Sequence, residues 1–62
     1  MKIEELKDKI VAYRTRNNYS MREFADLCGV TLQTIWNIEN ETHKPLKTTT
    51  YKIMQVLDNE VL

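Results

Sequence analysis

Glycine and proline occur once each in this chain of 62 residues, as Gly29 and Pro45. Sandwiches, barrels and glycine-rich phosphate loops need more turn-forming residues than that. The scarcity favours an all-α architecture in which these two residues punctuate helices. Size sets a second bound. A chain this short hides only about 60% of the surface its unfolded form exposes, so its core supplies on the order of 3–5 kcal/mol. Small domains often add a disulfide or a metal. Here the single cysteine, Cys28, excludes an internal disulfide, and Cys28 with His43 cannot complete a four-ligand zinc site. Helix packing, a partner subunit, or both remain.

Hydrophobic residues make up 42% and charged residues 29%, which suits a globular chain and not a disordered one. Nine basic groups balance nine acidic ones, so no global field draws the protein to nucleic acid or membrane. The charged start (Lys2, Glu4, Glu5) lacks a signal-peptide pattern. The longest apolar run, Ile10 to Tyr13, is four residues and far short of a membrane span. These features predict one soluble cytoplasmic domain over residues 1–62, with no membrane partner.

Four helices are expected, near 2–17, 21–28, 32–40 and 48–58, and no strand. Ile3, Leu6, Ile10 and Tyr13 recur in steps of three and four, the stripe of an amphipathic helix. Arg14 and Arg16 suit the last turn of that helix, and Asn17 and Asn18 tolerate the left-handed geometry that ends one. Ser20-Met21-Arg22-Glu23 reads as a capping box, with Tyr19 and Phe24 placed for a hydrophobic staple. Gly29 suits the end of this second helix, and Thr31 the N-cap of the third. Two short helices joined by a glycine-containing turn form the helix-turn-helix pattern. The last helix starts less sharply, because Thr48, Thr49 and Thr50 are poor helix formers. Its inward positions are Ile53, Val56 and Leu57.

On a helical wheel with Leu32 at zero, Ile35 and Ile38 fall at about 300° and 240°, the buried side. Leu32, Gln33, Trp36 and Asn37 spread over about 0° to 140°, turned away from it. Gln and Asn amides can make bidentate hydrogen bonds to adenine in a major groove. The plain alternative is that Gln33 and Asn37 are ordinary surface residues. Leu32 suits thymine methyl groups. Trp36 suits the sugar–phosphate wall, packing on Met21, or a protein-binding patch. Cys28, inside an apolar pattern, reads as a small core residue and His43 as a solvated loop residue. No nucleophile–base pair or paired carboxylates in a cleft emerge, so neither enzymatic activity, cofactor nor small-molecule substrate is expected.

The stretch from about Ile10 to Leu57 resembles the phage repressor and Cro-like (Xre-like) helix-turn-helix family. The residues that carry the likeness are Arg14, Ser20 to Ala25, Cys28 to Thr31, Thr34 to Asn40, Lys44-Pro45 and Leu57. The resemblance implies a lambda-repressor-like bundle of four or five helices whose third helix enters the major groove of double-stranded DNA. It also implies a homodimer on a pseudo-palindromic operator. Leu32, Gln33 and Asn37 then match base-contacting positions, Thr31 and Asn40 phosphate or base-edge positions, and Lys44 the phosphate-contacting loop; Trp36, on the same outward face, is added to the base contacts and Ser20 to the phosphate contacts. Arg14 and Glu39 match a partly buried ion pair tying the first helix to the third; on the wheel Glu39 borders the apolar side. Met21 stands where the family usually has a glutamine that touches the DNA backbone and braces a base-contacting amide. Glu41 stands where it usually has glycine. The family's fifth helix, often the dimer interface, is absent or reduced to Asp58-Asn59-Glu60-Val61-Leu62, leaving the last helix and this tail, near Val61 and Leu62, as the expected contact surface.

Residues 10–52 hold six basic groups against four acidic ones, a local net of +2 that suits modest DNA affinity per subunit. The leading expectation is a sequence-specific transcriptional regulator of the repressor kind. An antitoxin or a restriction–modification controller would share the fold. A protein-binding adaptor is favoured instead by Leu32, Trp36, Met21 and the zero net charge.

Overall fold

The starts of the second and third helices are set by side-chain caps, and the ends of the first three helices by left-handed turns. The computed structural model describes residues 2–59. It contains α1 (Ile3–Asn17), α2 (Met21–Cys28), α3 (Leu32–Glu39) and α4 (Lys47–Asp58), with no strand among the described residues. Asp58 closes α4 and Asn59 follows as its C-cap. Glu60, Val61 and Leu62, the rest of the expected fifth-helix remnant and dimer contact, lie outside the described residues.

In α1 the apolar stripe points inward. Leu6 and Ile10 are buried, and Ile3 and Tyr13 pack partly against the core. Glu4 and Glu5 in its first turn, and Arg14 and Arg16 in its last, complement the helix dipole. The capping box of α2 is complete: Glu23 N–H donates to Ser20 Oγ at 3.1 Å, and Ser20 N–H donates to Glu23 Oε1 at 2.8 Å. The staple expected of Tyr19 and Phe24 widens into an aromatic cluster that runs through Tyr13. That ring stacks on Tyr19 at 6.0 Å and tilts against Phe24 at 5.5 Å.

Three of the helices stop in the same way. Asn18, Gly29 and Glu41 each adopt a left-handed conformation, with φ of 60°, 73° and 55°. The next residue's amide then turns back on the helix: Tyr19 N–H to the Arg14 carbonyl, Val30 N–H to Ala25 and Thr42 N–H to Asn37, at 2.9, 3.0 and 2.9 Å. This is the Schellman arrangement. At Gly29 a Cβ would meet nothing within 4 Å, so glycine is there for its backbone freedom alone. Glu41 lacks that freedom, and the left-handed state costs an ordinary residue roughly 1–2 kcal/mol.

Leu6, Ile10, Phe24, Ala25, Cys28, Ile35, Ile38 and Ile53 form the buried core, to which all four helices contribute. Helix α4 begins at Lys47, one residue earlier than the threonine run predicts, and no side chain caps it. Ile53 at the core, with Met54, Val56 and Leu57 packed partly against it, supplies the stabilisation that the threonines do not. Burial pushes the Cys28 thiol up to about 11, so it is a core filler and not a poised thiolate.

The Glu41 carboxylate bridges to Lys7 Nζ at 3.1 Å, but the pair is exposed and contributes about 0.2–1 kcal/mol. Two substitutions separate the terms. Glu41→Ala removes the bridge and keeps the strained backbone, so thermal unfolding should show a loss below about 1 kcal/mol. Glu41→Gly removes both, and should melt above Glu41→Ala by about 4–8 °C, the shift that roughly 1 kcal/mol produces in a domain this small. Equal melting temperatures would mean that the left-handed turn carries no strain.

Candidate nucleic-acid interface

The surface turned outward by α3 is built by what holds its other side. Ile35 and Ile38 are buried, which fixes the helix's rotation. Thr31 caps its start, accepting from Thr34 N–H at 3.2 Å, with the two hydroxyls 2.9 Å apart. Leu32, Gln33 and Trp36 are exposed as the wheel requires, Leu32 at 37% and Trp36 at 44%. Asn37 departs from a fully outward reading: it is half-buried, and its Oδ1 accepts from Gln33 Nε2 at 3.0 Å and from Thr42 Oγ1 at 3.1 Å.

Arg14 fixes α3 from behind. Its Nε and Nη2 donate to Glu39 Oε2 and Oε1 at 2.7 and 2.8 Å, a bidentate pair. Its Nη1 donates to the Tyr19 carbonyl at 3.0 Å. One guanidinium thus joins α1, the turn before α2 and the last residue of α3. The side chain of Glu39 is only 8% accessible. The hydrogen bonds to Glu39 raise the Arg14 pKa above its ordinary value, against the opposing effect of burial.

The residues matched to phosphate contacts are all exposed. Ser20 and Thr31 use their oxygens as caps, leaving each hydroxyl at a helix N-terminus, where anions are favoured. Asn40 Nδ2 donates to the Trp36 carbonyl at 2.9 Å. Lys44, beside Pro45, lines a surface groove of about 400 Å³ together with Lys2, Lys47, Ile3 and Leu6. Three lysines thus line one groove of a chain with no net charge. Met21 packs partly against the core.

Sequence reasoning missed three contributors: Thr42, the Tyr19 carbonyl and the Lys7–Glu41 bridge. None carries a periodicity signal, since each depends on how a turn folds back. Among the described residues no cluster of His, Cys, Asp and Glu could hold a metal, and no helix is long and apolar enough to cross a membrane. A family described as helix-turn-helix has a model that matches residues 10–61. No curated protein and no solved structure matches the chain.

The clamp behind α3 has a measurable weight. Breaking a shielded ion pair from one side costs roughly 3–5 kcal/mol, comparable to the whole stability of a domain this size. Glu39→Ala should therefore be unfolded or molten at 37 °C by circular dichroism, while Glu41→Ala keeps a cooperative melt. A native-like melt for Glu39→Ala would remove the clamp from this account.

Proposed function

The chain belongs to the helix-turn-helix family of DNA-binding regulators, and on that premise we propose that it is a sequence-specific repressor of the phage or plasmid kind. It inserts α3 into the major groove of an operator and occupies the site against polymerase. The observation that carries this reading is the outward face of α3. Gln33 stands there between exposed Leu32 and Trp36, on a helix capped by Thr31 and clamped by Arg14. Gln33 reads a base edge, Leu32 and Trp36 meet thymine methyls and the groove wall, and Asn37 belongs to the same surface. Ser20, Thr31, Asn40 and Lys44 hold phosphates. No catalytic step, cofactor or small molecule enters this mechanism.

One half-site contact is too small for useful specificity, so the protein acts on DNA as a homodimer with recognition helices about 34–36 Å apart. A second reading, a protein-binding adaptor, draws on one observation: two large apolar side chains lie exposed on α3. An antitoxin or a restriction–modification controller would use the same DNA face.

Selection of bound DNA from a random pool, followed by salt titration on selected and random duplexes, tests the proposal. A bidentate base contact discriminates by about 1–3 kcal/mol. Gln33→Ala should weaken binding to the selected site, relax the preference at one base pair per half-site and leave the salt dependence unchanged. Lys44→Ala should weaken all sequences alike and flatten the log–log salt slope by about 1 per subunit. If Gln33→Ala binds both duplexes as the parent protein does, α3 is not reading bases and the adaptor becomes the better account. Sedimentation on a palindromic site should give two chains per duplex at saturation; one chain would end the dimer proposal.

A further inference from the structure

The family's usual brace for a base-reading amide is missing here, because Met21 occupies its position and packs partly against the core. Another brace is present. Gln33 Nε2 donates to Asn37 Oδ1 at 3.0 Å, and Thr42 Oγ1 lies 3.1 Å from the same oxygen. The Thr42 hydroxyl also lies near the Asn37 backbone carbonyl, at a longer 3.4 Å. Thr42 is held there by its own backbone, whose N–H donates to the Asn37 carbonyl at 2.9 Å. The left-handed turn at Glu41, φ 55°, carries the chain back over the helix end. A residue beyond α3 is thereby connected through Asn37 to the exposed amide on the groove-facing side.

From this geometry we infer that Asn37 and Thr42 are positioning residues that fix the Gln33 amide in the orientation that selects adenine. The inference rests on the reading of Gln33 as a base contact. An unrestrained glutamine amide turns about its last torsion and presents either end to a base. With one Nε2 hydrogen committed to Asn37, Gln33 keeps its Oε1 acceptor and one amide hydrogen. Adenine offers a matching N6 donor and N7 acceptor in the major groove, whereas guanine offers two acceptors. With Asn37 Oδ1 turned toward Gln33, the brace favours the orientation that matches adenine. Asn37 Oδ1, accepting from both Gln33 and Thr42, has no lone pair left for a base amino group. Asn37 therefore orients the reader through its Oδ1, and only its Nδ2 remains to meet a base.

The test measures base discrimination at the Gln33 position of a selected operator, by competition among duplexes differing at that pair. The variants are Gln33→Ala, Thr42→Val, Thr42→Ser and Asn37→Ala, and each is also melted. Gln33→Ala should abolish a preference of about 5- to 150-fold for adenine. Thr42→Val and Asn37→Ala should each cut that preference at least about threefold, while Thr42→Ser retains it. Affinity for random DNA should not change in either Thr42 variant. In the Gln33→Ala background, Thr42→Val should have no further effect, the signature of residues acting as one unit. Replacing the adenine by 7-deazaadenine should cost the parent protein affinity and leave Gln33→Ala unaffected. If Gln33→Ala leaves the preference intact, the base-reading role fails and the brace with it. If Gln33→Ala abolishes the preference but folded Thr42→Val and Asn37→Ala keep it whole, the base-reading role stands and the brace is overturned. A preferred base other than adenine also overturns the inference.

Discussion

The bidentate pair between Arg14 and Glu39 is the interaction on which the arrangement of this protein depends. The two residues are 25 apart in sequence, and the same guanidinium also holds the Tyr19 carbonyl. Burial of Ile35 and Ile38 sets the rotation of α3, but apolar contacts carry no direction of their own. A planar fork engaged on both carboxylate oxygens adds direction to that packing. It sets the end of α3 against α1 and the entry to α2 together. The outward face of α3 is consequently held in one direction, although it belongs to a helix of only eight residues.

The three left-handed exits solve one problem with three residues of unequal suitability. Each turn must reverse the chain within a few residues while satisfying the last carbonyls of a helix. Glycine does this without strain, asparagine at a small cost, and glutamate at a larger one. The least suitable residue stands where the chain leaves α3, next to the surface assigned to DNA. Its side chain is engaged with Lys7, and its backbone turns Thr42 onto Asn37. Local strain beside a functional surface is a recurrent pattern, and here the strained residue connects to that surface through hydrogen bonds.

Most of the fold was legible because its signals are short-range. The stripe Ile3, Leu6, Ile10 and Tyr13, the box from Ser20 to Glu23 and the stop at Gly29 each lie within one or two helical turns. The start of α4 was less clear, since Ile53 packing, and not the threonines, decides it. On the candidate site, Leu32, Gln33 and Trp36 face outward as the wheel requires, because Ile35 and Ile38 leave no other rotation. Asn37 is partly shielded instead, and Thr42 escaped notice altogether. Both follow from the left-handed state of Glu41, which residue type alone argues against. A non-glycine at φ 55° is a tertiary result that no periodicity announces.

The exposure of Trp36 has a spectroscopic consequence. It is the chain's single tryptophan and stands 44% accessible on the outer face of α3. An indole already in contact with water emits at long wavelength, so unfolding the domain changes its surroundings less than it would for a core indole. Covering α3 strips that water away. The intrinsic emission of this protein is therefore a weak monitor of whether the chain is folded and a sensitive one of whether α3 is occupied, without any attached label.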